Sequence, residues 1–472
     1  MPRPFRTDPS SSFALGPLSS FAFFISGDGN RPNCQRCQRS KRPCSWSDGV
    51  RRSSRSIEPS NQLGQSATSP DYCTQASLDV LVSRSDEYVP TSDPTKALED
   101  PRVAHIFRSY IDNLAGWYDL NDRRRHFTDI VPILARKNAL LLSAILAFAA
   151  ASQSSSSGST PLRDLADAYH LESVRRLLAL MKHPDEFRTG ETLAAICLLR
   201  SYEIISQNVT CQNHLQGSYS LLANHPIELE SGLLSAGFWN YLREDITVAL
   251  LEKRSLMIQL PDEPLPTRIE CDDDLANRIT YLLGRVINRC LLRDAAPLDQ
   301  CEWNSLRDQL EDWRISLPSS FDPILTPHLL PNSSFPSMWT TSGWHVAAAG
   351  LQYYHTAMII LWLAEPCPVS ANTLQHIERI NCLESKLVHH ATIVCALALS
   401  SRSAPVWVNS FGPIAFCGPW LKDARKLSEI VDEMSIWGQK TGSTIRTPSS
   451  SSAFLLISSI RQHRQHRQHR QH

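Results

Sequence analysis

The stretch Ala139-Leu-Leu-Leu-Ser-Ala-Ile-Leu-Ala-Phe-Ala-Ala-Ala151 is apolar at nearly every position. A helix that is apolar all round has no face suited to water, so it must be buried inside a large core. The stretch is also too short to cross a bilayer, which takes about 20 residues. We therefore predict that it forms a central, fully buried helix.

Apolar residues at helical spacing continue on both sides of this stretch. Upstream they form one face at i, i+3 and i+4 spacing: Ile106, Phe107, Tyr110, Ile111, Leu114, Trp117 and Tyr118. Downstream the sequence predicts a helix with Thr160 as its N-cap and Pro161 at its first position. Further helices are predicted over 191–206, 214–223, 233–251, 274–292, 303–313, 346–363, 374–399 and 420–437. Gly438 is predicted to end the last of these. Alternating strand-like runs are nearly absent, so the predicted fold class is all-α.

Composition limits the function classes. Formal net charge is zero over 472 residues, which excludes a globally basic nucleic-acid coat protein. The 13 cysteines form an odd set without ligand-like spacing beyond Cys44, which predicts reduced, mostly buried thiols in the cytosol or nucleus. The apolar segment Val346–Ala364 carries Gln352, His355 and Thr356, so we interpret it as a buried helix and expect no membrane partner.

A second stretch contains candidate metal ligands: Cys34-Gln-Arg-Cys37-Gln-Arg-Ser-Lys-Arg-Pro-Cys44. Two cysteines separated by two residues can bind one metal ion, and a third cysteine completes most of a tetrahedron. Basic residues are interleaved with the thiols and follow them: Arg36, Arg39, Lys41, Arg42, Arg51, Arg52 and Arg55. Bound zinc would fix the loop and present this charge to phosphates. The alternative is a disordered polybasic arm whose thiols are incidental.

The stretch resembles the second half of the fungal binuclear zinc cluster, Zn2Cys6, in which six cysteines hold two zinc ions in two similar halves. The resemblance implies that Cys34, Cys37 and Cys44 are zinc ligands. It also implies that Arg36, Arg39, Lys41 and Arg42 contact the DNA backbone, while a helix of the first half reads a CGG triplet. Lys41, Arg42, Arg51, Arg52 and Arg55 resemble a nuclear import signal.

The sequence departs from that family before Cys34. No cysteine lies upstream, and three thiolates cannot give two zinc ions four ligands each. Residues 10–25 read like a translated pyrimidine tract, which predicts a misplaced start or an unspliced intron in place of the first half. We therefore interpret 1–25 as an atypical segment and 26–56 as a partial zinc-cluster segment.

The helical region also resembles a known family. The run from His105 to Asp122, the segment His214-Leu-Gln-Gly217, and the stretches 238–245 and 409–420 are similar to the regulatory domain of fungal-specific transcription factors. The resemblance predicts a helical regulatory domain over 98–440. Residues 57–97 are polar and rich in Ser and Pro, which predicts a disordered linker, and they contain no sustained heptad for pairing two chains. Residues 441–472 end in four Arg-Gln-His triplets, which predict a disordered tail.

These observations predict a nuclear zinc-cluster regulator of RNA polymerase II transcription that binds CGG-containing DNA when its cluster is complete. The alternative is a helical co-regulator that has lost specific DNA binding and acts through a partner, either a second copy or another regulator. An enzyme is not expected, because the sequence has no Gly-rich phosphate loop, no G-x-S-x-G and no H-E-x-x-H. Cys417 has no sequence-evident base, and His389 and His390 are expected to point apart on one helix.

Overall fold

Helices make up almost all of the regular structure, so the prediction of an all-α fold is confirmed. The structure is a computed structural model that describes residues 93–183, 187–206, 213–222, 232–261, 269–293, 295–324, 327–331, 333–340, 344–366 and 372–441. Within these ranges, the strands are one antiparallel pair, β1 (His328–Leu329) and β2 (Pro336–Ser337).

Most of the helices follow one another with short connections. The helices are α1 (Pro94–Glu99), α2 (Pro101–Ser109), α3 (Val131–Ala135), α4 (Ala139–Ser157), α5 (Thr160–Leu180), α6 (Gly190–Ser206), α7 (Asn213–Leu222), α8 (Gly232–Glu252), α9 (Asp272–Cys290), α10 (Gln300–Ile315), α11 (Trp344–Leu363), α12 (Thr373–Leu399), α13 (Ala404–Cys417) and α14 (Ala424–Thr441). Longer segments separate α8 from α9 and α10 from α11. Two π-helical segments, Tyr110–Leu114 and His126–Ile130, and three 3-10 turns, Ala115–Trp117, Ser319–Phe321 and Gly418–Trp420, complete the set.

The predicted central helix is α4, and every residue from Leu140 to Ser152 is buried. Its core neighbours are α5 and α6, and the packing continues from α6 to α8 and from α8 to α9 and α13. Helix α11 packs against α9, α12 and α13 on the far side of this series. One contiguous hydrophobic core therefore joins nearly all the helices.

The apolar face upstream of α4 is confirmed, but it does not lie on one regular helix. Asp93 and Asp100 cap α1 and α2, each of which has a proline in its first turn. Tyr110, Leu114, Trp117 and Tyr118 are buried, although the chain widens into a π-helix and then tightens into a 3-10 turn on the way. The irregular turns bring four successive apolar positions to the same core.

Two of the expected helix-end signals are wrong, and one helix was not predicted. Helix α5 begins at Thr160 with Ser159 as its N-cap, so Thr160 is not the cap residue. Gly438 does not end the last helix, because α14 continues to Thr441. The segment of Pro405–Cys417 is helical in α13 despite Pro413 in its interior.

Three helices are long and apolar enough, by length and composition, to cross a membrane: Ala139–Ser157, His345–Leu363 and Thr373–Leu399. The expectation that the first is too short is wrong, because the helix runs on through serines to Ser157. The fold buries 72% of the apolar window of the first helix and 89% of that of the second, but only 39% of the third. The first two helices are thus core helices of this fold, as predicted.

The prediction of buried thiols holds for part of the described cysteines. Cys197, Cys395 and Cys417 are buried, whereas Cys301 and Cys382 are exposed. Burial raises the pKa of the Cys417 thiol to about 12, with a hydrogen bond to Thr356 acting in the opposite direction. A thiol held protonated in this way is a poor nucleophile.

A candidate polar site in the helical region

The residues predicted to bind zinc and DNA lie outside the described residues. They are Cys34, Cys37 and Cys44 as ligands, Arg36, Arg39, Lys41 and Arg42 as DNA contacts, and Arg51, Arg52 and Arg55 as further import-signal residues. Their roles therefore stay predictions. Within the part of the chain that the structure describes, no group of three or more His, Cys, Asp or Glu side chains is arranged to hold a metal ion.

The described region contains a polar site that begins at the turn between Trp117 and α3. The Asp119 carboxylate accepts hydrogen bonds from the backbone N–H groups of Phe127 and Thr128, at 2.9 and 2.8 Å. Asp122 accepts from the backbone N–H of His126 at 2.9 Å and from its Nδ1–H at 2.8 Å. Burial raises the pKa of Asp119 to about 6, against the opposing effect of its hydrogen bonds. Two carboxylates thus fix the shape of this turn.

Side chains of helix α8 hydrogen-bond to the backbone of the same turn. Asn240 Nδ2 donates to the carbonyl oxygen of Tyr118 at 3.1 Å, and Arg243 Nη2 donates to it at 3.2 Å. Arg243 Nη2 also donates to Asn240 Oδ1 at 2.7 Å. Burial lowers the pKa of Arg243, which is 3% exposed. The Arg243 and Asn240 side chains therefore tie the core of α8 to the backbone of the turn.

The start of α9 supplies the third wall. Asp272, Asp273 and Asp274 occupy its first turn, where the helix dipole favours negative charge. Asp274 accepts from the backbone N–H groups of Glu270 and Cys271, at 2.8 and 3.0 Å. Burial raises the pKa of Asp273, and the neighbouring Asp274 and Asp122 raise it further. The three aspartates are thus explained by the favourable position of negative charge at a helix N-terminus.

These three walls enclose a space of about 500 Å³, which we call the polar cavity. Its lining includes Asn121, Asp122, Arg243, Asp273 and Asn277. Asn277 Nδ2 donates to the Asn121 carbonyl at 3.1 Å. Both side-chain amide atoms of Asn121, Oδ1 of Asn277 and Nη1 of Arg243 are buried and have no hydrogen-bond partner among the described residues. Because buried polar atoms are normally hydrogen-bonded, the cavity is suited to water or a small polar molecule.

A buried ion pair network lies beside the cavity and joins α6 to α8. The Arg200 guanidinium is 3.5 Å from the carboxylate of Glu203 on its own helix and 3.5 Å from that of Glu244 on α8. Glu203 in turn accepts from the backbone N–H of His214 at the start of α7. Burial raises the pKa of Glu244, and Arg200 and Arg243 oppose that effect. Breaking such a network would leave a buried charge uncompensated.

Residues 105–247 match the family model of the fungal specific transcription factor domain. The matched residues include the turn and the α8 wall of the polar cavity, whereas Asp273 and Asn277 lie beyond them. The chain is also similar to the transcription activator AMTR1 of Alternaria alternata, with 21% identity over 310 residues. That alignment covers 50% of this chain and 40% of the relative's length.

No solved structure matches the chain. The family match at residues 105–247 falls within the region that resembles a helical regulatory domain, and together with the similar transcription activator it supports that interpretation. The polar cavity was not predicted, because its walls come from residues more than a hundred positions apart, such as Asn121 and Asn277. The one sequence signal was the acidic run at Asp272–Asp274. A region similar to the fungal-specific domain and to a transcription activator supports a regulator of transcription.

Proposed function

We propose that this chain is a zinc-cluster regulator of RNA polymerase II transcription that works in the nucleus. The observation that carries the proposal is the match of residues 105–247 to the fungal specific transcription factor domain, downstream of the basic Cys34–Cys44 segment. The relative is named a transcription activator, which agrees with this proposal.

The basic segment accounts for how the chain would hold DNA. Cys34, Cys37 and Cys44 would fix the loop through a metal, and structural zinc, when bound, contributes on the order of 10–16 kcal/mol to folding in small modules. Arg36, Arg39, Lys41 and Arg42 would contact phosphates, which gives affinity without sequence preference. Each such contact makes binding weaker at higher salt. Base readout at a CGG triplet belongs to the first half of a complete cluster.

The number of cysteine ligands limits how many zinc ions the segment can bind. Three thiolates supply three of the four ligands of one tetrahedral zinc ion and cannot satisfy two. Sequence-specific binding is therefore proposed for the product that carries the complete cluster. The same shortage favours a second candidate function, a helical co-regulator that reaches promoters through a partner, such as a second copy or an intact regulator.

A gel-shift experiment on the product of the spliced messenger tests the proposal. A CGG-containing duplex should bind more tightly than a scrambled duplex, and chelation of zinc should remove the preference. The Cys37→Ser variant should lose specific binding, because it removes a ligand. Cys301→Ser is the matched control, since Cys301 is exposed on α10, and it should bind as the unaltered chain does.

The outcomes separate the two functions. Specific binding that survives both chelation and Cys37→Ser would contradict the zinc mechanism. If the spliced product has residues 1–45 as printed, we expect no CGG preference and no effect of Cys37→Ser on DNA affinity. That result would favour the co-regulator, whose helical region does not depend on the zinc segment.

A further inference from the structure

A second cavity lies away from the polar cavity, between α10, α11, α12 and the segment after β2. It encloses about 410 Å³, and we call it the histidine cavity because His355, His389 and His390 line it. This volume falls within the range of about 300–1,000 Å³ that is usual for small-molecule sites. The size is sufficient for a compact organic molecule.

Most of the wall is apolar. Phe321, Met338, Leu351 and Ile393 line the cavity, together with the ring of Tyr354. Trp313 stacks on Tyr354 from behind, with ring centroids 5.7 Å apart. Such a wall favours an apolar body, and its aromatic members accept flat as well as aliphatic groups.

The ionisable groups of the lining are all basic or neutral. Arg314 enters from α10, His355 from α11, and His389 and His390 from α12, and no Asp or Glu belongs to the described lining. Lys386 adds positive charge near His390. Glu311 acts on the Tyr354 phenol but does not line the cavity. The local charge therefore favours an anion.

His355 and His390 form a close pair in this wall. Their Nδ1 atoms are 2.7 Å apart, so one ring must donate a proton to the other. Burial, together with the charges of His389 and Lys386, lowers the pKa of His390 to about 4. Burial also lowers the pKa of His355. Both rings are thus neutral near pH 7, and an adjacent anion would favour a proton shared by the pair.

Two further observations narrow the ligand class. Thr340 lines the cavity and is 8% exposed, and its Oγ1 has no partner among the described residues, so it can donate to an acceptor. A shared metal ion does not fit the histidines. Two nitrogens at zinc-ligand distance on a tetrahedral ion lie about 3.3 Å apart, farther than the 2.7 Å between these two.

We propose that the histidine cavity binds a small monocarboxylic acid with an apolar body. Its carboxylate lies among Arg314, the histidine pair and Thr340, and its body lies against Phe321, Met338 and Leu351. The site is independent of the zinc segment, so it stands or falls separately from the proposed DNA binding.

Calorimetric titration of the full 472-residue chain with three acids tests the proposal. The probes are benzoate, 2-naphthoate and decanoate, each paired with the corresponding neutral alcohol. At least one acid should bind, and should bind tighter than its alcohol. The affinity should be several-fold higher at pH 6 than at pH 8, because the complex takes up a proton at the histidine pair. Failure of all three acids to bind at millimolar concentration overturns the proposal, as does equal binding of acid and alcohol.

Two variants locate the bound acid. Arg314→Gln changes an exposed side chain and should weaken binding on the order of tenfold or more. Its matched control is Arg307→Gln on the same helix, where Arg307 contacts Asp308 and the ring of Trp303 and does not line the cavity. His390→Gln should remove most of the pH dependence while Arg314 continues to hold the carboxylate. Equal affinity of Arg314→Gln and Arg307→Gln would place the acid elsewhere and overturn the proposal.

Discussion

Gly412 lies in α13 at the point where this helix meets α8. A Cβ atom built on Gly412 would stand 2.9 Å from Cα of Thr247, which is backbone of the neighbouring helix. Such a contact cannot be relieved by turning a side chain, so the two helices would have to separate. The glycine is thus needed for close packing and not for a turn.

Gly412→Ala should lower the unfolding free energy by about 1–3 kcal/mol, because the overpacked contact outweighs the gain in helix propensity. Gly116→Ala is the control, since Gly116 is exposed and a Cβ there would meet nothing within 4 Å. Urea unfolding of both variants measures the difference. A Gly412→Ala protein as stable as Gly116→Ala would show that α8 and α13 do not pack this closely.

Single residues show where reasoning from the sequence stops. Thr160 has the side chain of a helix cap, but Ser159 occupies the cap position and makes no side-chain capping bond. Gly438 is a residue type typical of a helix C-terminus, yet α14 continues through it. His389 and His390 were expected to point apart, but both line the histidine cavity with ring centroids 5.4 Å apart, and His390 pairs with His355. Contacts with distant parts of the chain determine the conformation at each of these positions, and the local sequence does not reveal those contacts.

Helices were predictable where apolar periodicity was strong. Helix α4 has no polar face over its first three turns, so its burial followed directly from its sequence. Helix α13 was missed because Gly412 and Pro413 are adjacent, and both residues favour turns. Its packing against α8, α11 and α12 keeps the segment helical. The π-helical segment at His126–Ile130 had no sequence signal, since Asp119 and Asp122 hold it from outside the segment.

A histidine pair joins α5 to α7. His170 Nε2 and His214 Nε2 are 3.0 Å apart, and the His170 ring stacks on Tyr202 of α6. Burial lowers the pKa of His170 to about 4, with Asp167 opposing the shift. Burial, together with the charges of His170 and Arg200, lowers the pKa of His214 to about 3. The pair packs well only while both rings are neutral.

The unfolding free energy should therefore fall as pH falls from about 6.5 to 4, because the unfolded chain binds protons there that the folded chain does not. A shift of this size at His170 corresponds to about 3 kcal/mol. Urea unfolding across this pH range should show a smaller loss for His170→Gln than for the unaltered chain. The same pH dependence in both proteins would contradict the burial of the pair.

At the scale of the whole molecule, the sequence predicted the class of fold but not the cavities within it. Spacing and the family resemblance together predict zinc ligands at Cys34, Cys37 and Cys44, because these cysteines are close in sequence, and this stays a prediction. The polar cavity joins Asn121, Arg243 and Asn277, and the histidine cavity joins Arg314, His355 and His390. Sites assembled from distant helices require the packing to be known first.

Chromatin immunoprecipitation from the source cells tests the central claim, that the product of the spliced messenger, carrying the complete cysteine cluster, regulates transcription by binding promoter DNA through that cluster. We expect enrichment of promoter DNA that contains CGG triplets, lost in Cys37→Ser and retained in Cys301→Ser. No promoter enrichment, or equal enrichment with Cys37→Ser, would contradict it.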